Sequence, residues 1–349
     1  MILPQTYTAT MILMVLSMLC MAVWVSAWRL AGKWRFEVFY VDFAFGLLIA
    51  SIIYAFTVGD LGYDGFTFLD DLQHAGKRQW VFCLAAGMIF NLANMLLVAA
   101  VSVGGMAAAF PMTMGTALIL GTALGFATAR VANGMMLLLG CALLLTALLV
   151  NAIAHRLLAV QRHEVLARAG KASSTRRPAP LKGIVLSAVS GLMMGSFMPL
   201  LESARQGDLG LGPYAMGAIF ALGVFISTFV YDVFFITFPV EGEPVEISSY
   251  FSARPQQHMF ALLGGLVWCT GTIAGMVAGA APEAAQAGLA TRALLGQAAP
   301  VLTVLIGIVV WKELKGSDMR VKSLTLLMLV LYACGVVLVS LAPLYIRRP

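Results

Sequence analysis

Asn91 and Asn94, in AAGMIFNLAN, stand three residues apart and so share one face of a helix. Each amide carries two donors and an acceptor, the set that a urea or imide edge pairs with. Left against lipid, such a group costs a few kcal/mol. Gln297 adds a third amide in GQAAPVLTVLIGIVVWKE, three residues before Pro300, whose missing N–H frees the carbonyl of Gly296. Thr270 and Thr272 supply hydroxyls, and Trp24 a flat ring on which a heterocycle or sugar could stack. Ionisable groups in apolar surroundings are costly and tend to be functional. Here they are Asp42, Glu202, Asp232 in FVYDVFF, and Arg292. A carboxyl whose partner changes between states can carry a proton. Each also has a structural reading: interhelical hydrogen bonds for the asparagines, self-satisfied hydroxyls for the threonines, ion pairs or helix ends for the acids. Both readings stay open at this level.

The elements that must position these groups are membrane helices. The chain has 349 residues, of which 61% are hydrophobic and 11% charged, far from the near-half apolar, quarter charged make-up of a soluble globule. A spanning helix needs about 20 mostly apolar residues. Ten such windows are expected, over 8–29, 39–58, 79–100, 107–127, 134–155, 183–203, 213–238, 258–280, 290–311 and 323–345. The first reads as a retained helix because no basic leader or cleavage pattern accompanies it. The connections are too short to hold a soluble catalytic domain.

The remaining features exclude other classes. The five cysteines fall in five different windows, so neither a disulfide nor a metal site is expected. The four histidines lie in loops or at helix ends. No HExxH, GxSxG or P-loop appears, which argues against an enzyme, a cofactor or an ATP-driven pump. Most of the 22 Lys and Arg fall in the loops after the odd-numbered windows, above all in RHEVLARAGKASSTRRPAPLK. The positive-inside bias then places that loop in the cytoplasm of an inner or plasma membrane, with both termini outside. Its charge suits a juxtamembrane segment rather than nucleic acid. Glu313, at the end of the ninth window beside Lys312, is expected to pin a helix end or latch to a basic loop.

The basic segment, 156–182, divides the chain into blocks 1–155 and 183–349. VLSMLCMAVWVSAW (15–28) aligns with VLSAVSGLMMGSFM (185–198), AAGMIFNLAN (85–94) with LGGLVWCTGT (263–272), and Pro111 with Pro300. Five spans per block force the second to cross the membrane in the opposite sense. The expected fold is therefore an all-α membrane protein of two five-helix inverted repeats, an architecture used by secondary transporters.

QAAPVLTVLIGIVVWKE resembles the ninth helix of the ureide permease family, within the drug/metabolite transporter superfamily. The same family is matched by LCMAVW, by FYVDF followed by TVGDLG, and by NLAN, SFMPL and ALLGGLVWCTG. Sugar-uptake and rhamnose/proton families share mainly the Gly307-to-Glu313 ending. The resemblance implies import of a ureide or nucleobase such as allantoin, uracil or xanthine, with a proton, the alternative being monosaccharide uptake. It implies a cavity framed by helices one, three, four, six, eight and nine, and it points to Trp24 and Asp42 as family positions. Thr272 stands where the family pattern has asparagine. The expected partners are a small solute, protons and the bilayer.

Overall fold

The computed structural model describes residues 1–32, 34–62, 64–129, 132–168, 180–240, 242–246 and 248–345. Its elements are α1 (Tyr7–Val23), α2 (Ser26–Leu30), α3 (Phe36–Phe56), α4 (Phe68–His74), α5 (Lys77–Gly104), α6 (Met106–Ala129), α7 (Gly134–Arg168), α8 (Pro180–Arg205), α9 (Pro213–Thr237), α10 (Ser248–Phe251), α11 (Pro255–Gly279), α12 (Leu289–Val309) and α13 (Met319–Leu341). Among the described residues nine are long and apolar enough to cross a membrane: α3, α5 to α9 and α11 to α13. The chain is a multi-pass membrane protein.

The first expected span, 8–29, falls in two pieces. α1 has 17 residues and is followed by the short α2. Trp24 and Val25 between them keep right-handed helical dihedrals, but the Ala27 N–H donates to the Trp24 carbonyl three residues back, at 3.1 Å. The interruption is one tight 3₁₀-type step, at a point where Trp24 and Val25 are both buried. Other helix starts follow local chemistry. Thr6 accepts from the Ala9 N–H at the head of α1, and proline occupies the first helical position of α9 and α11. At the far end of the fifth window, α7 continues to Arg168, so the first part of the basic segment is helical. Residues 169–179 of that segment lie outside the described residues.

Two compact units make up the chain. The first comprises Met1–Met95 and Ser196–Ala299, the second Leu96–Gly195 and Pro300–Pro349. In the first, α3 packs on α9 and α11, and α1 and α2 lie along α11. Two crossings are closed by glycine against bare backbone. A Cβ on Gly46 would sit 2.2 Å from the Leu262 carbonyl oxygen, and one on Gly265 2.0 Å from that of Phe43. Between α5 and α9 the same pattern recurs, Gly87 at 2.3 Å from the Phe220 oxygen and Gly223 at 2.4 Å from that of Leu84. In membranes, where lipid removes the hydrophobic drive between helices, such close approach supplies the packing.

In the second unit α7 packs along α13 and against α6. The buried Glu313 carboxylate caps α6, taking the Met106 N–H at 3.0 Å and the Ala107 N–H at 2.8 Å. Asn151 of α7 donates to the Ala108 carbonyl at 2.8 Å, and Arg162 donates to the carbonyl of Glu313. The chain reaches Glu313 through Lys312, whose φ of 52° is left-handed. Glu313 therefore pins a helix end, and the end is that of α6.

Candidate functional site

Polar side chains gather inside the first unit. Asp42, six residues into α3, is 5% exposed. Its Oδ1 accepts the Tyr250 hydroxyl at 2.5 Å, and its Oδ2 meets His258 Nδ1 at 2.5 Å. Tyr250 belongs to α10 and His258 to the first turn of α11, so one carboxylate ties three elements. Trp34 and Tyr250 each present an edge to the His258 ring, with centroids 4.9 Å apart. Burial and the Asp42 carboxylate push the Tyr250 phenol above its ordinary range, which keeps it a hydrogen-bond donor. A carboxylate bonded to an imidazole is a pair through which a proton can pass.

One turn earlier on α3, fully buried Glu37 pairs with Arg35 at 2.7 Å. Asp232, five residues from the end of α9, is 4% exposed, and its Oδ1 has no hydrogen-bond partner among the described residues. It lies within electrostatic reach of Glu37 and Tyr40. Tyr40 in turn accepts from Asn94 Nδ2 at 2.9 Å. Asn91 Nδ2 donates into α9, where the Val224 carbonyl and the Ser227 and Thr228 hydroxyls lie at 2.8 to 3.0 Å. The two asparagines thus share a helix face but serve different neighbours, α3 and α9. Both are buried.

The other expected residues are more scattered. Thr270 is 2.9 Å from the Tyr54 hydroxyl and also bonds the Leu266 carbonyl, while Thr272 bonds the Trp268 carbonyl of its own helix. Trp24 is buried against Phe43, ring centroids 5.1 Å apart. Gln297 is half-buried on α12. Glu202 differs from the expectation of a buried acid: it is 47% exposed and pairs with Arg205 at 2.8 Å, one turn along the same helix.

A groove and a smaller cavity open among the described residues of this unit. A groove of about 620 Å³ runs between the first half of α1, Tyr54, Tyr214 and the α11 face carrying Thr270, Ala274 and Val277. A smaller cavity of about 190 Å³ lies between α1, α11 and α12, and includes Gly296, the residue whose carbonyl Pro300 leaves without its helical donor. Asn91, Asn94, Asp42 and Asp232 are on the wall of neither.

The ureide permease family model matches residues 39–182. That stretch takes in Asp42, Asn91 and Asn94. A search of curated proteins finds no match. Four chains of solved structures match. One of them, titled only "Crystal structure of protein", is 16% identical over 95% of this chain and 96% of its own, with a TM-score of 0.50. At that identity the likeness bears on the fold alone.

Tyr250, His258, Glu37 and Tyr40 were not among the residues that the sequence singled out as a site. Tyr250 and His258 meet Asp42 from 208 and 216 positions away and Tyr40 meets Asn94 from 54, in each case on another helix, so no local spacing announces them; Glu37 pairs locally with Arg35. The one legible signal was chemical: His258 stands at the mouth of an apolar helix, a costly place for an imidazole without a partner.

Proposed function

We propose that the chain is a secondary transporter importing a small polar solute of ureide or nucleobase type, coupled to protons. The observation that carries this reading is the ureide permease match over residues 39–182. Proton coupling is supported by Asp42, held buried between Tyr250 and His258, with buried Asp232 as a second acid. Glu202, exposed and already paired, is not assigned a coupling role. Gln297, Thr270 and Thr272 are the polar groups offered to the solute, with Trp24 as ring platform. Asn91 and Asn94 hold the helices around it through the bonds they already make.

The architecture proposed is ten spans in two inverted five-helix repeats, 1–155 and 183–349 joined by 156–182, with α1 and α2 together forming the first span. The two glycine crossings support it. The alignment of 85–94 with 263–272 sets Gly87 against Gly265. The α5–α9 crossing is then the counterpart of the α11–α3 crossing, glycine for glycine and carbonyl for carbonyl. Rocking of helix groups about one site follows for such repeats, with both termini outside by the charge bias.

Uptake of labelled allantoin or uracil into proteoliposomes tests the reading. Accumulation should depend on an inward proton gradient; uptake unchanged after its collapse removes the coupling. Accumulation of monosaccharides and of no ureide or nucleobase transfers the substrate to the sugar class.

A further inference from the structure

The cavity of about 190 Å³ is built from one face of each of three helices. α1 contributes Met14, Ser17, Met18 and Met21, α11 contributes Gly275, Ala278 and Gly279, and α12 contributes Arg292, Gly296 and Ala299. At ~30 Å³ per water the space takes roughly six waters or one small solute. All its walls are thioether, methyl or backbone except at two points, the Ser17 hydroxyl and the Arg292 guanidinium.

Arg292 is held at a cost. Its Nε is shut off from solvent and has no hydrogen-bond acceptor among the described residues. No acidic side chain shares the cavity wall. It sits in the first turn of α12, where the positive end of the helix dipole disfavours a cation. A guanidinium presents a planar fork that matches a carboxylate through two parallel bonds. An anion here would oppose the charge through the guanidinium's outer nitrogens, and the helix N-terminus would favour it.

We infer that this cavity binds a small organic anion, whose carboxylate the Arg292 guanidinium holds. The inference rests on the transport reading for what such binding serves, and it adds to the neutral solutes of that reading a ureide that carries a carboxylate. The methionines shape an adaptable apolar wall for the rest of the molecule, and the glycines leave it room. A Cβ at Gly296 or Gly279 meets nothing within 4 Å, whereas one at Gly275 would lie 3.0 Å from Ser17 Oγ.

The test is thermal stability of the full-length protein in detergent, with two probes of similar size: N-carbamoylglycine, a ureido carboxylate, and hydantoin, the neutral ring it closes to. Ligand that binds the folded state raises its melting temperature. A saturable rise with N-carbamoylglycine and none with hydantoin at equal concentration is expected. Arg292→Gln should weaken the apparent affinity by about tenfold or more, the worth of a charge-assisted pair, and Arg292→Lys by less. Gly296→Leu, which fills the cavity and keeps the arginine, should abolish the response; it carries the test if Arg292→Gln does not fold. No rise with N-carbamoylglycine, an equal rise with hydantoin, or an unchanged response in Gly296→Leu overturns the inference. Transport is judged separately. Binding by this pattern with no uptake of any ureide in proteoliposomes leaves the site and removes the transporter. Uptake of a neutral ureide with no carboxylate binding does the reverse.

Discussion

Asp42 shows how a single carboxylate acquires meaning from its surroundings. On α3 alone it is an acid in an apolar helix; with Tyr250 and His258 bonded to its two oxygens it becomes the joint of α3, α10 and α11. Removing Tyr250 or His258 leaves buried Asp42 with an unmet oxygen, at about 1–3 kcal/mol. Asp42→Asn keeps the shape and an acceptor but cannot take up a proton. It is expected to leave the melting temperature within a few degrees of wild type while removing gradient-driven accumulation in proteoliposomes. Full gradient dependence in that variant would show that the proton travels elsewhere. The sequence pointed to Asp42 by its chemistry and by the family resemblance of FYVDF. It could not show that His258, 216 positions away, would complete the pair, because only the packing of α11 on α3 brings them together. The two asparagines teach the complementary lesson. Their shared face was legible from the spacing, but an amide's choice between a solute and a neighbouring helix depends on what the opposite face offers, and Ser227 and Thr228 offer it here.

Among the elements, α6 depends on a residue far outside itself. Its first N–H groups have no partner within the helix, and Met106 and Ala107 are fully buried, so water cannot substitute for Glu313. Glu313→Ala should cost about 1–3 kcal/mol, read as a fall in melting temperature. Lys312→Gly, which relieves a left-handed backbone, should be neutral to about 1 kcal/mol stabilising. A stability unchanged by Glu313→Ala would mean that the cap is not needed. Spans were the most legible part of the chain, since apolar length marks a membrane helix. Their ends were less so. Hydropathy stops at the membrane border and the backbone does not: α7 runs on through Arg156 and Arg162 to Arg168, where its polar residues continue the helix. The step at Trp24 was equally hidden, because both residues at the interruption keep helical dihedrals.

For the whole molecule, the repeated glycine crossings make a quantitative claim. If α3–α11 and α9–α5 are counterparts, Gly265→Ala and Gly87→Ala should destabilise by similar amounts, about 1–3 kcal/mol each, because each pushes a methyl into backbone. Gly121→Ala, where a Cβ meets nothing within 4 Å, is the control and should gain up to about 1 kcal/mol as a helix-interior change. A large loss at one crossing and none at the other would separate the two joints and remove this support for the repeat. The repeat was only faintly visible in the letters, since packing constrains a few small residues and leaves their neighbours free to drift.

The cap on α6 also sets an order in time. Synthesis delivers the N-terminus of α6 some 207 residues before the carboxylate that completes it. Through most of translation the membrane therefore holds a helix with two unanswered amides, the state of every nascent chain that has passed Ala107 and not yet reached Glu313. A ribosome that stalls within α12 releases a product whose α6 is still uncapped at its start.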